Sequence, residues 1–140
     1  MRAVFDTSVI VAAFRSRTGA SNLLLRAVAD GNLRPLVTTA LFLEYEDVLL
    51  RPEQRIATGM TPAQVESALA ALASASEPVE VHFRWRPQLT DPSDELVLEA
   101  AVNGSAHFLV THNVRDFQPA AKKFALRVIT PQQCLKEIRR

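Results

Sequence analysis

Asp6 closes the apolar run "RAVF" and is followed by Thr7, Ser8 and a second apolar run. A carboxylate in that place either caps the helix that begins near Ser8 or offers an oxygen to a bound cation. Three further acids bear on the choice. Glu44 lies in the first turns of "ALFLEYEDVLL", Asp94 opens "DELVLEAAV", and Asp116 follows the apolar stretch "AHFLVT". Carboxylates brought to one place repel and raise one another's pKa unless a cation neutralises them. An all-oxygen set without a His or Cys cluster favours a hard ion, Mg²⁺ or Mn²⁺, over zinc. Such an ion activates water and stabilises charge developing on a phosphoryl group, so the chemistry indicated is hydrolysis of a phosphodiester.

Whether those acids meet depends on the elements that carry them. The segments "RAVF" (2–5), "LRPLVT" (33–38), "PVEVHF" (78–83), "AHFLVT" (106–111) and "LRVIT" (126–130) read as strands, most of them separated by helix-period stretches. That alternation predicts an α/β fold, a central, mainly parallel sheet covered by helices. In right-handed βα units the carboxyl ends of the strands and the amino ends of the following helices share one edge, where ligands bind. Asp6, Glu44, Asp94 and Asp116 all map to that edge. From Asp94, positions i+3, i+4 and i+7 are Val97, Leu98 and Ala101, which puts this carboxylate on the apolar stripe of its helix. Glu44 falls on the border of a stripe centred nearer Tyr45, and Asp47 on the opposite, solvated face. Asp91 reads as an N-cap because Pro92 follows it.

"TPAQ" (61–64) and "TPQQ" (130–133) carry the capping-box pattern of helix starts, while "DGN" (30–32) and "NG" (103–104) supply residues tolerant of positive φ at helix ends. The stretch "RPEQRIATGMT" (51–61), with Pro52 and Gly59, reads as a loop or movable flap between two helices. At 140 residues and 48% hydrophobic content, the chain suits a single domain over 1–140 with a sizeable core. No apolar run approaches the about 18 to 20 residues of a membrane span. Without a recognisable signal peptide the expected location is the cytoplasm. The lone Cys134 excludes an internal disulfide or a Cys-based zinc site. A net charge of +1 leaves any nucleic-acid binding to a local patch. The histidines, His82, His107 and His112, share no helical face, and of them only His112 falls beside the acids.

Taken together, "VFDTSVIVAAF", "ALFLEYEDVLLRPE", "DPSDELVLEAAVNGSAHFLVTHNVRDF" and "RVITPQQCL" resemble a PIN domain, specifically the small single-domain toxins of bacterial toxin–antitoxin pairs. The resemblance runs almost end to end. It implies a three-layer α/β/α fold, Mg²⁺- or Mn²⁺-dependent endoribonuclease activity, a homodimer and a cognate antitoxin protein that inhibits the enzyme. Carried over to this chain it implies Asp6 and Asp94 as direct metal ligands, with Glu44 contributing directly or through water. Asn113 stands where many relatives have Asp, and keeps a carbonyl oxygen for a metal. Asp116, three residues on, corresponds to a nearby acid. Ser8 and Thr111 match polar positions that support the acids by hydrogen bonds.

Candidate RNA contacts are Arg15, Arg17 and Arg115, with Arg51 and Arg55 near the 51–61 stretch. "HFRWRP" (82–87) interleaves aromatic and basic residues in a way suited to stacking and phosphate contact, and equally to an edge strand or a protein interface. Two other functions compete. A catalytically silent PIN-like module would bind RNA or a partner without cutting. A receiver-type phosphoacceptor domain would want paired acids after the first strand and a suitably placed lysine, whereas "FDTS" has one acid and Lys122, Lys123 and Lys136 all come late.

Overall fold

The apolar segments pair side by side through parallel backbone ladders. In the computed structural model, which describes residues 1–84 and 86–139, the chain begins β1 (Arg2–Phe5), α1 (Thr7–Arg15), α2 (Ala20–Ala29), β2 (Arg34–Val37) and α3 (Thr39–Leu49). There follow α4 (Pro52–Thr58), α5 (Pro62–Ala75), β3 (Glu77–Pro78) and α6 (Pro92–Asn103). It ends β4 (Phe108–Val110), α7 (Val114–Lys123), β5 (Val128–Ile129) and α8 (Pro131–Ile138). The five strands form one sheet in the order β3-β2-β1-β4-β5, and every pairing is parallel. Helices cover the sheet, as expected for three α/β/α layers.

Interior parallel strands are covered on both faces and therefore read as continuous apolar runs. Ala3, Val4 and Phe5 of β1 and Phe108, Leu109 and Val110 of β4 are all buried. Leu24, Leu36, Leu41, Tyr45, Leu69 and Phe117 close the core around them. Both predicted capping boxes form: Thr61 with Gln64 opens α5, and Thr130 with Gln133 opens α8. Gly31 takes the left-handed conformation after α2, with φ 79°. From β1 the chain steps outward to β2 and β3, then α6 carries it back to β4 on the other side of β1. The strand order thus reverses between β1 and β4, where a crevice opens at the carboxyl ends. Among the described residues no helix is long and apolar enough to cross a membrane.

Three local expectations are corrected. The 51–61 stretch is mostly helix: Pro52 occupies the first turn of α4, and Gly59, at φ 72°, ends it. The strand expected over 78–83 stops at Pro78. Val79 N still donates to Val37 O (2.8 Å), but the amides of His82 and Phe83 donate to Asn103 Oδ1 of α6 (2.9 Å each). A side chain has replaced the neighbouring strand. Gly104, after α6, keeps a negative φ of −88° and is needed for space. A Cβ there would lie 2.9 Å from the Ala100 carbonyl, 2.9 Å from Leu36 Cδ1 and 3.0 Å from Val79 Cγ2. Trp85 of "HFRWRP" lies outside the described residues.

Two substitutions check this backbone account. Gly104→Ala should lower the urea-unfolding free energy by about 1 to 3 kcal/mol, because a backbone carbonyl cannot retreat as a flexible side-chain tip can. Ala125, at φ 51° in the turn after α7, is an alanine in the left-handed region. Ala125→Gly should raise stability by about 0.5 to 1 kcal/mol by relieving that strain. An unchanged unfolding midpoint in both would contradict the account.

Candidate active site

Strand register builds the site. Phe5 pairs with Val110 across β1 and β4, so the next residues, Asp6 and Thr111, emerge side by side at the reversal of strand order. Asp6 N donates to Val110 O (2.9 Å), extending the ladder by one bond. Asp6 is buried and occupies the N-cap position of α1, yet makes no side-chain cap bond to the helix amides. Its Oδ2 instead accepts from Thr111 Oγ1 (2.6 Å) and from Ser8 Oγ (3.0 Å). Both hydroxyls go to the same oxygen, so neither consumes Oδ1. The fully buried Thr111 hydroxyl also accepts from Asn113 N (3.0 Å), which fixes the turn into α7. Tyr45 of α3, central to the stripe that Glu44 borders, donates its hydroxyl to Phe5 O. Burial, and after it the Asp6 charge, push the Tyr45 pKa well above its ordinary value. The phenol stays protonated and remains a donor.

Asp94 sits in the first turn of α6 behind Asp91, whose Oδ1 caps Ser93 N (2.9 Å). The Asp94 carboxyl is half-buried, and its pKa is pushed up to about 6, first by burial, then by the charges of Asp6, Asp91, Asp116 and Glu95. Every charge in that set is negative. Asp6 and Asp116 therefore both act on Asp94 across the crevice, although Asp116 itself is exposed, in the first turn of α7. Asn113 is exposed at the N-cap of α7 and makes no side-chain cap bond. Glu44 is half-buried on α3, and its charge is not among those acting on Asp94. Thr7 Oγ1, between Asp6 and Ser8 in the chain, is buried without a hydrogen-bond partner.

The donor chemistry suits a hard divalent cation: oxygen ligands, surplus negative charge, and one carboxylate already held in place. Among the described residues no three His, Cys, Asp or Glu side chains are gathered closely enough to hold a metal by themselves. Mg²⁺ commonly uses one or two carboxylates and keeps several waters, and Asp6 and Asp94 are the carboxylates that could supply them.

The candidate RNA arginines are dispersed and partly committed. Arg15 donates to Gln54 Oε1 on α4 (3.1 and 2.9 Å), Arg51 pairs with Asp47 (2.9 Å), and Arg55 donates to Leu50 O (3.3 Å). Arg17 and Arg115 are exposed. His112 lies against α2, its Nε2 3.3 Å from Ser21 Oγ.

Sequence reasoning missed a polar seam on α6. Buried Glu95 accepts from the amides of Gln88 and Leu89, buried Glu99 pairs with Arg86, and Asn103 binds Phe83 O as well as the two amides already described. Their i, i+4, i+8 spacing was the available signal. The seam fixes the irregular segment that leads into Asp91 and Asp94.

A wholly parallel sheet with carboxylates over its strand-order reversal defines an α/β protein of the class whose ligands bind at the carboxyl edge. The PIN domain profile matches residues 2–115, and the chain belongs to the PIN domain family, whose members are generally nucleases that use divalent metal ions. A search of curated proteins finds no match by sequence. Among solved structures the chain is similar to VapBC-1 from nontypeable Haemophilus influenzae, at 16% identity and a TM-score of 0.62, covering 94% of this chain and 99% of that one. It is similar also to VapBC2 from Rickettsia felis bound to a DNA fragment from its promoter, at 17% identity and a TM-score of 0.61, covering 93% and 98%. At these identities the likeness concerns the fold.

Two measurements check the electrostatics. Thr111→Val removes a buried hydroxyl that serves both Asp6 and the Asn113 amide, and should cost about 1 to 3 kcal/mol in urea unfolding. Asp94 has a folded pKa raised above its unfolded value, so the folded state holds its proton longer. Its contribution is most favourable below the unfolded pKa and is lost as pH rises toward and through about 6. Metal-free protein should therefore show this component of stability falling over that window, and Asp94→Asn should remove it. A pH profile identical in wild type and variant would refute the assignment.

Proposed function

We propose that this protein is a divalent-metal-dependent endoribonuclease that cleaves RNA phosphodiester bonds, acting as the toxin of a toxin–antitoxin pair in the cytoplasm. The observation that carries the reading is the concentration of negative charge at Asp94, supplied by Asp6 and Asp116 from the ends of neighbouring elements. In this reading Asp6 and Asp94 hold Mg²⁺ or Mn²⁺ directly. Asp116 adds charge from α7, Glu44 reaches the site through water, and Asn113 offers a neutral oxygen. When bound, the ion supplies an activated water and charge stabilisation at the phosphoryl group. Ser8 and Thr111 orient Asp6, since a hydroxyl on each side of Oδ2 leaves the carboxylate little freedom to rotate. Arg15, Arg17 and Arg115 are the candidate phosphate contacts around it. Membership of the PIN family supports the hydrolase reading, and likeness to two VapBC structures supports an antitoxin partner; the homodimer rests on the family resemblance alone.

The competing reading is a silent RNA- or protein-binding module, favoured by the lack, among the described residues, of three acids close enough to hold a metal unaided. One set of measurements separates the two. Mn²⁺ at about a hundred times its Kd should stabilise the fold by about 2.7 kcal/mol, since it binds the folded cluster and not the unfolded chain. Single-stranded RNA should be cut only with metal present. Asp6→Asn and Asp94→Asn should each reduce that cutting by about a hundredfold or more while leaving the fold intact. Asp116→Asn should weaken Mn²⁺ binding in calorimetry and Asn113→Asp should tighten it. Cutting that persists equally in both acid variants, or a melting temperature indifferent to Mn²⁺, would defeat the proposal.

A further inference from the structure

The carboxyl end of α6 joins two residues that the fold requires for separate reasons. Gly104 is held to glycine by space, since a Cβ there would meet the Ala100 carbonyl and Leu36 Cδ1 at 2.9 Å. Asn103 is held to an amide by its four bonds: Oδ1 accepts from the amides of His82 and Phe83 (2.9 Å each), while Nδ2 donates to Phe83 O (3.0 Å) and Glu99 O (2.9 Å). A carboxylate could accept the first two and could not donate the others. The result is an Asn–Gly pair. Of the four asparagines, Asn22 and Asn32 precede leucine and Asn113 precedes valine, so only Asn103 is followed by a residue with no side chain to shield its backbone nitrogen.

The chemistry open to such a pair is intramolecular. The Gly104 nitrogen gives its proton to solvent base and attacks Asn103 Cγ. A ring N–C bond forms, the bond from Cγ to Nδ2 breaks, and Nδ2 leaves as ammonia. Water then opens the cyclic imide at one carbonyl or the other, leaving an aspartate or an isoaspartate, with no oxidant or reductant consumed. In the folded chain two features oppose the attack. Gly104 N donates to Ala100 O (3.0 Å), which directs its hydrogen along the helix, and the Asn103 amide is pinned by the bonds just given. The bonds to His82 and Phe83 lie at the protein surface, where local opening costs less than global unfolding.

We propose that Asn103–Gly104 is a site of spontaneous deamidation, gated by opening of this end of α6, and that the product loosens the hold of α6 on residues 82–83. A carboxylate at position 103 has no hydrogen for Phe83 O or Glu99 O and sets negative charge against both carbonyls. The isoaspartate lengthens the backbone just before a glycine that has no room to move.

The test incubates the full chain at neutral pH and follows residue 103 by peptide mass spectrometry, where exchange of NH for O raises the mass. Isomerisation at Asp30–Gly31, another pair open to imide formation, leaves the mass unchanged. The folded chain should deamidate at least roughly tenfold more slowly than the chain unfolded in urea, and urea below the unfolding midpoint should speed it. Asn103→Asp should lower that midpoint and raise the hydrogen-exchange rates of the His82 and Phe83 amides by more than those of Gln88 and Leu89, which end on Glu95. Should the variant fail to fold, aged wild-type protein, separated by its added negative charge, serves in its place. Equal deamidation rates in folded and unfolded chain would overturn the proposal. So would a residue 103 that stays unmodified when the chain is unfolded, or that modifies there and never below the midpoint. Unchanged exchange at His82 and Phe83 in the modified protein would overturn it as well.

Discussion

The hydrogen bond from Thr111 to Asp6 is the contact on which the site depends, because it joins the ends of the two strands between which the sheet reverses direction. Its formation is decided by register. With Phe5 opposite Val110, the apolar residues of both strands stay in the core and the polar pair emerges together. A slip of one residue would turn every side chain to the opposite face and bury a carboxylate among hydrocarbon. The hydrophobic core therefore specifies the polar geometry. Tyr45 strengthens the same point, since its buried hydroxyl serves the last carbonyl of β1 and would be an orphan if that strand moved.

Asp94 adds the opposing force. Two independent features place it near other acids: the cap made by Asp91 starts α6 at the carboxyl edge, and the first turn of α7 brings Asp116 toward it. The amino end of α6 offers partial positive charge, which offsets a fraction of the repulsion. Among the described residues no arginine or lysine appears among the charges acting on this carboxyl. A fold selected for rigidity alone would place one there. Leaving the position without a protein cation keeps a demand for positive charge that an ion from solution can meet.

Much of this was legible because it rests on local rules. Apolar runs gave the strands, Thr-Pro-x-Gln gave two helix starts, and helical phase put Asp94 on the inward side. Asp6 was left open between cap and ligand, and its long-range bond to Thr111, with no bond to the helix amides, shows where the carboxylate turns. The misreadings share a cause. "PVEVHF" alternates as a strand should, but its later amides are bound by Asn103, a partner some 20 residues away that no local pattern reveals. In 51–61 mixed composition hid a helix whose Pro52 and Gly59 were its proper boundary signals. Gly104 looked like a residue chosen for its dihedral freedom, whereas its role is close approach to Leu36 and Val79, which depends on tertiary packing. Glu44 was placed correctly on its helix, but phase cannot supply the separation between one helix and another.

The seam of Glu95, Glu99 and Asn103 gives the segment before α6 a behaviour that its lack of regular structure conceals. Four of its amides end on two α6 side chains about two turns apart, His82 and Phe83 on Asn103 and Gln88 and Leu89 on Glu95. The protons of Gln88 and Leu89 exchange with solvent only when their bonds open, because Glu95 is buried on a helix packed against β1 and β4. In hydrogen–deuterium exchange Gln88 and Leu89 therefore belong to the slow class with α6, whereas His82 and Phe83, at the exposed end of the seam, exchange faster.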